Sequence, residues 1–314
     1  RDKKLLEQSS EEKVIELTAE ERNLALEFLK SPDLFDQIVN DMSLLGYVGE
    51  EINKELAYIA ASTRKLDDPI SILILSQSSA GKSMLVDTVR KLMPAEDVVS
   101  MTSLSDQALN YIAPGGLMHK LLILGEAVHS EVIEHQVREM LSAHELSRLV
   151  TLKDENTGKL MTRLIKTPTV VSMMMSTTSY NINPENASRC FLVNADESKE
   201  QTKRIHESQR NKYSLQRFEE KNNLIPNIIK KHVSAQRLLR NILIVNPFAQ
   251  YLDFPVSLMR TRRDHERFID LIVGVAFLRQ YQKEVKTSSE VEYIECDLND
   301  YRIAYEIMVK GVLP

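Results

Sequence analysis

Ser76-Gln77-Ser78-Ser79-Ala80-Gly81-Lys82-Ser83 follows the apolar run Ile70–Leu75 and opens the stretch Lys82–Leu92, whose apolar residues keep helical spacing. A strand, a loop of small and polar residues and a helix beginning Gly-Lys-Ser form the setting that a phosphate-binding loop requires. Backbone N–H groups of such a loop can wrap a polyphosphate, and the dipole of the following helix favours negative charge there. On this reading Ser78, Ser79, Ala80, Gly81, Lys82, Ser83 and Met84 surround the nucleotide. Lys82 neutralises the β- and γ-phosphates, and the Ser83 hydroxyl ligates Mg²⁺, so ATP and Mg²⁺ are the implied cofactors. Ser76 stands where the first glycine of such loops is usual. The structural alternative is an ordinary strand–turn–helix connection.

Working outward, an apolar strand ending in acid is expected one strand away. Lys120-Leu-Leu-Ile-Leu-Gly125-Glu126 supplies it. Glu126 is placed to polarise the attacking water, whereas Gly125 occupies the position where an acid would help to hold Mg²⁺. The plainer alternative is a buried strand capped by a solvated Glu126. A third strand, Thr169–Met175, runs into Ser176-Thr177-Thr178-Ser179, and Thr177 is the candidate γ-phosphate sensor; hydroxyl residues at strand ends are otherwise common in turns. Short apolar runs alternating with amphipathic stretches (Ser130–Leu146 among them) predict an α/β domain with a buried, mostly parallel sheet.

Between these elements, Arg148–Lys166 contains two alternating runs around Asn156-Thr157-Gly158, the signature of a β-hairpin. Lys153, Lys159, Arg163 and Lys166 make it locally basic in a chain of net charge −5. Such a projection suits charge-driven contact with the backbone of single-stranded DNA, or is simply a hairpin kept soluble by lysines. Arg189 precedes an apolar segment where, in a ring ATPase, an arginine finger reaches the neighbour's γ-phosphate. Arg260-Thr-Arg262-Arg263-Asp-His-Glu-Arg267 leads into a further amphipathic helix; Arg263 is the candidate to touch the nucleotide in its own subunit, with surface ion pairing as the alternative.

The flanks are helical. Thr18-Ala-Glu-Glu21 fits a capping box, and a helix is expected over Gly49–Leu66 after the turn Gly46-Tyr-Val-Gly49. Beyond about residue 201 the strands are expected to stop, leaving charged helices interrupted near Pro226, Pro247 and Pro255, with a short extended segment around Ile242–Val245 suited to a small wing, as in a winged helix. The resulting organisation is a helical segment at 1–66, a core at 67–205 with a hairpin at 148–166, and a helical lid at 206–314. The 314 residues, 43% hydrophobic and 27% charged, allow substantial cores. Cys190 and Cys296 lie far apart and form no C-x-x-C pair, which argues against a zinc site or disulfide framework and suits a reducing cytoplasm. No apolar run is long enough to cross a bilayer. The chain runs from Arg1 to Pro314, which fits a piece of a longer polypeptide.

Several blocks, in one order, resemble the ATPase region of the phage- and island-encoded zinc-finger primase family, which is related to MCM-type AAA+ helicases. They are Val48–Tyr58, Ser62–Pro69, Ser76–Ser83, Asn186–Phe191, Asp196–Thr202 and Arg262–Asp264, and the resemblance covers roughly residues 18 to 285. It implies an AAA+ P-loop NTPase core with a helical lid, assembly into a ring and ATP-driven movement on DNA. It assigns Lys82 and Ser83 to the phosphate loop, Glu126 to water activation, Thr177 to the sensor and Arg189 to the finger, with the 148–166 hairpin as the loop that grips DNA in the channel. Gly125 departs from the family's pattern. The leading expectation is a hexameric, ATP-hydrolysing helicase or translocase on single-stranded or forked DNA, serving replication of a mobile element with a primase or initiator as partner. A DNA-binding ring gated by ATP with little turnover is the second expectation. A small-molecule kinase, the third, gives the hairpin and the arginine-rich lid no role.

Overall fold

A computed structural model of the chain describes residues 15–75, 81–102, 104–113, 115–125, 130–153, 159–177, 184–254 and 261–312. The first helix, α1 (Ala19–Lys30), begins with the expected capping box: Thr18 Oγ1 accepts from the Glu21 N–H at 3.2 Å, and the Glu21 carboxylate accepts from the Thr18 N–H at 2.9 Å. Helices α2 (Leu34–Leu44) and α3 (Glu51–Ser62) follow, the latter prolonged by a 3₁₀ turn at Thr63–Lys65. The core comprises β1 (Ile72–Leu75), α4 (Lys82–Leu92), β2 (Val98–Met101), β3 (Met118–Leu124), α5 (Glu131–Ala143), β4 (Glu145–Lys153), β5 (Leu160–Pro168), β6 (Val170–Thr177), the short α6 (Pro184–Ala187) and β7 (Phe191–Asn194). Then come α7 (Lys199–Asn211), α8 (Leu215–Leu238), β8 (Leu243–Val245), α9 (Thr261–Leu278), β9 (Lys286–Ser288), β10 (Val291–Glu295) and α10 (Leu298–Ile307).

Five strands form one parallel sheet in the order β2-β3-β6-β1-β7. Side chains alternate across a strand, and the sheet uses both faces. Ile72 and Ile74 of β1, with Leu121 and Ile123 of β3, join one hydrophobic cluster; Leu73, Leu122 and Leu124 join another, with Ile133, Val137 and Met140 of α5. Burial on both faces is why β1 is an unbroken apolar run rather than an alternating one. The chain is therefore an α/β P-loop NTPase fold.

The larger cluster extends from Ala25 through Tyr58, Val89 and Ala235 to Met308, so one core joins the N-terminal helices, the sheet and the C-terminal helices. Among the described residues the core is continuous across residue 66, with Leu66 and Ile70 both in it. Buried polar groups stitch the same junction. Arg64, fully buried, donates to Asp97 at 2.6 Å and to Gln236 at 2.8 Å; His232 lies between the Tyr58 hydroxyl and the Asp41 carboxylate, each at 2.8 Å. Groups taken from water this completely need such partners.

Several boundaries differ from expectation. The helix expected over Ser130–Leu146 stops at Ala143, because His144 turns left-handed (φ 49) and Glu145 and Leu146 pair with Pro168 and Thr167 in the ribbon. Pro226 does not interrupt its helix. A proline there costs about 3 kcal/mol, but the face bearing Ile228, His232 and Ala235 is buried and α8 continues to Leu238. Strands also persist after residue 201: β8, β10 and β9 form a small sheet in that order, with β9 and β10 joined by a tight turn in which Ser289 and Glu290 both have positive φ. β8 is the extended segment expected near Ile242–Val245. Among the described residues no helix is long and apolar enough to cross a membrane.

Candidate functional site

All five strands of the parallel sheet point their carboxyl ends to one edge, where ligands of open α/β sheets bind. Leu75, the last residue of β1, is registered beside Thr177 of β6 on one side and Asn194 of β7 on the other. Leu124, the last residue of β3, lies beside Met175. Strand β6 thus stands between the strand that leads into the phosphate loop and the strand that leads to Glu126, and its terminal Thr177 sits at the crest between them.

Ser78, Ser79, Ala80, Glu126 and the side chain of Lys82 lie outside the described residues. The start of α4 is described. Gly81 takes φ +90, its carbonyl accepts from Met84 and Leu85 N–H, and among the described residues no side chain caps the helix. The first turn carries no acidic residue, and Ser83 is exposed. Uncapped N–H groups, a positive dipole end and an accessible hydroxyl are the donor set that a nucleotide polyphosphate with its Mg²⁺ fits. Of the residues expected at the phosphates and the ion, Ser83 is described, in the first turn of α4 and exposed.

Gly125 has a structural cause. Its N–H donates to Met101 O at 3.0 Å, which holds it against the end of β2. A β-carbon at Gly125 would stand 3.3 Å from Thr102 O and 3.4 Å from Thr102 Cα, both backbone atoms. The acid usual at this position would have to displace the neighbouring chain.

The segment before α3 lies against the start of α4; Val48, Gly49, Asn53 and Gln201 fall in the blocks Val48–Tyr58 and Asp196–Thr202, whose residues carry no individual role in the sequence reading. Gly46 and Gly49 take φ +106 and +66, folding the loop 46–50 over the start of α4. A β-carbon at Gly81 would be 3.8 Å from Tyr47 Cε2, and one at Gly46 would be 2.9 Å from Met84 Cε. Asn53 donates to Asn194 O at 2.9 Å, and Gln201 of α7 donates to Val48 O at 2.6 Å. Arg217 of α8 donates to Leu44 O at 2.6 Å. Gln201 crowds Gly49 so closely that a β-carbon there would be 2.3 Å from its Oε1. The Gly-Tyr-Val-Gly sequence signalled a turn, but only tertiary structure brings it to the phosphate loop.

Arg189 and Arg263 lie at the other edge of the sheet. Arg189 precedes Phe191, which pairs with Ile72 at the amino end of β1, so the length of β1 separates it from its own phosphate loop by about 10 Å at 3.3 Å per residue. Arg189 donates to Glu185 O at 2.6 Å and also bonds Ser142 Oγ. Arg138 of α5 forms an ion pair with Glu185. From the lid side, Arg267 donates to Ala187 O at 2.9 Å and Cys190 O at 2.6 Å, which brings the first turn of α9, and Arg263 with it, to this edge. Burial lowers the proton affinity of Arg189, and the charges of Arg263 and Arg138 lower it further. The structure therefore groups Arg263 with Arg189 at the amino end of the sheet, the edge opposite the phosphate loop.

The basic hairpin is a twisted ribbon of β4 and β5, longer at its base than expected. Lys166 pairs across from Ser147 and Lys153 across from Leu160, on one face; Arg163 pairs across from Val150, on the other. Lys166 is bound to Glu145 at 2.9 Å, and Lys159 directly precedes β5. The four cations thus do not form a single patch. Cys190 and Cys296 are free and buried, and burial pushes both thiols up to about 12, which leaves them inert.

No curated protein matches the chain. The model of the MTBMA_p00010 P-loop domain family matches residues 16–233, more than half of the 314 residues. This span includes α1, the loop 46–50, the parallel sheet and α8 as far as residue 233. The chain is a nucleotide-binding P-loop NTPase and belongs to the MTBMA_p00010 P-loop domain family.

Proposed function

We propose that the protein is an ATP-driven DNA motor of the AAA+, MCM-like type, working as a hexameric ring in the replication of a phage or other mobile element. The observation that carries this reading is the position of Arg189. Its guanidinium is held at the sheet edge opposite its own phosphate loop, beside Arg263 and Arg138, where it serves a nucleotide only if another subunit presents one. In the ring, ATP with Mg²⁺ would occupy the loop 76–83 of one subunit, with Lys82 on the phosphates and the Ser83 hydroxyl on the ion. Glu126 orients the attacking water, and Thr177 contacts the γ-phosphate. The neighbour's arginine edge then stabilises charge as the phosphoryl group transfers. The β4–β5 ribbon, with Lys153, Lys159, Arg163 and Lys166, meets single-stranded or forked DNA, and a primase or initiator delivers the ring.

Steady-state ATP hydrolysis with and without single-stranded DNA tests the motor, using Lys82→Ala and Arg189→Ala variants. Each variant alone is expected to be inactive. Mixed, they should regain turnover, because interfaces then form between an intact phosphate loop and an intact Arg189. Failure of the mixture to recover, with both variants folded and assembled, would overturn the shared-site reading. A ring that binds DNA under ATP control with little hydrolysis is favoured by one observation, the backbone crowding at Gly125 that disfavours an acid there. DNA binding that depends on ATP, with no single-turnover cleavage above Lys82→Ala, would establish that alternative.

A further inference from the structure

The 3₁₀ turn Ala108–Tyr111 delivers a tyrosine that stays 73% exposed. A single exposed aromatic is ordinary, but this one is not alone. The Arg148 guanidinium lies over its ring, 4.3 Å from the centroid, so one ring face is covered and the other remains open. Arg148 belongs to β4, opposite Ile165, and its diagonal neighbour on the same face of the ribbon is Arg163, opposite Val150. Neither Arg148 nor Arg163 forms an ion pair among the described residues. Lys153 and Lys166 occupy the reverse face with the exposed pair Leu149 and Leu164. One side of the ribbon therefore carries an aromatic plate, a guanidinium stacked on it and a second cation one step farther out.

We propose that Tyr111, backed by Arg148, is a base-stacking platform for single-stranded nucleic acid, with Arg163 taking a phosphate of the same strand. The inference rests on the reading that this ribbon meets nucleic acid, and it specifies how. Every base offers a π-face, so a tyrosine plate grips a strand without reading its sequence, and the stacked guanidinium adds cation–π attraction to the sandwich. A duplex, whose bases are already stacked and paired, has no face to offer. Arg163 supplies the charge that tracks the backbone.

The test uses the full chain with a non-hydrolysable ATP analogue and fluorescent single-stranded DNA and RNA oligonucleotides carrying 2-aminopurine, whose emission is quenched on stacking. Wild type should bind strands better than duplex and quench the probe. Tyr111→Ala should weaken binding about tenfold and abolish quenching while leaving the slope of log K against log salt unchanged; Tyr111→Phe should retain both. Arg163→Ala should instead reduce the salt slope by about one, with quenching intact. Binding and quenching by Tyr111→Ala equal to wild type, while Arg163→Ala is weakened, overturns the platform and leaves the DNA reading standing. Altered subunit assembly in Tyr111→Ala with unchanged strand binding also overturns it, by making Tyr111 a contact between copies. No binding of either strand by wild type removes both the platform and the reading beneath it.

Discussion

Arg138 Nη1 lies 2.6 Å from the Glu185 carboxylate, and this pair ties the middle of α5 to the turn that carries Arg189. The tie is reinforced by Asn186, whose Nδ2 donates to Glu134 O at 3.3 Å and whose Oδ1 accepts from Arg138 at 3.4 Å. Helix α5 begins five residues after Glu126 and runs, through the left-handed His144, straight into β4. One helix thus links the arginine edge to the ribbon.

Arg138→Ala is expected to lower turnover while leaving ATP affinity near wild type, because it loosens Arg189 without touching the subunit's own phosphate loop. The ion pair is partly exposed, so its loss should cost less than about 1 kcal/mol of stability. Melting and ATPase measurements on the same preparation check this; unchanged turnover would mean that Ser142 and Arg267 hold the turn unaided.

Gly125→Asp restores the acid usual beside Glu126, yet it should not improve hydrolysis. Its β-carbon meets Thr102 backbone at 3.3–3.4 Å, and overpacking of that kind costs about 1–3 kcal/mol. A lower denaturation midpoint is expected for Gly125→Ala and Gly125→Asp alike, with no tightening of the Mg²⁺ dependence of ATPase activity. A stable Gly125→Asp that turns over ATP at lower Mg²⁺ would refute this account.

The contrast between these residues shows what the sequence could convey. β1, β3 and β6 were legible because a strand buried on both faces must be apolar throughout, and the loop after β1 has its own chemistry. The Thr18 box was legible because a cap is purely local. β2 and β7 were missed: four residues each, they become strands only through their neighbours' hydrogen bonds. β9 and β10 were hidden by charge, since Glu292 and Glu295 point to partners (Arg240 and Lys286) that sequence alone does not place beside them. The arginines were visible singly, but their common edge is a property of the sheet's register.

Gly49 offers a test of the loop 46–50. Gly49→Ala combines a left-handed backbone with a β-carbon 2.3 Å from Gln201 Oε1, and should weaken nucleotide binding and lower stability by about 1–3 kcal/mol. Gln201→Ala alone should also weaken binding, because Val48 O loses its donor. If the two residues act through this contact, the double variant will be less impaired than the sum of the singles. Strict additivity in a double-mutant cycle would separate the glycine's role from Gln201.

Two carboxyl groups should make the fold less stable as pH rises. Burial, followed by the charges of Asp36 and Glu306, raises Glu55 to about 7; burial, followed by Glu266 and Asp68, raises Asp270 to about 7. In the unfolded chain these groups titrate near 4.5 and 3.8. Between those values and 7 the native state holds more protons than the unfolded state, so stability must fall with rising pH across that window and level off above it. His232 acts in the other direction. Burial lowers its affinity for a proton, so the native state binds fewer protons than the unfolded chain and stability falls as pH drops below its ordinary 6.5. Glu55→Gln should therefore leave stability near pH 5 little changed and raise it at pH 8 by about 1–3 kcal/mol, moving the pH of maximum stability upward. Asp270→Asn should act in the same sense. Denaturant titrations at pH 5, 6.5 and 8 check both variants; a Glu55→Gln protein with the wild-type pH profile would mean that Glu55 ionises in the folded protein as it does in the unfolded chain.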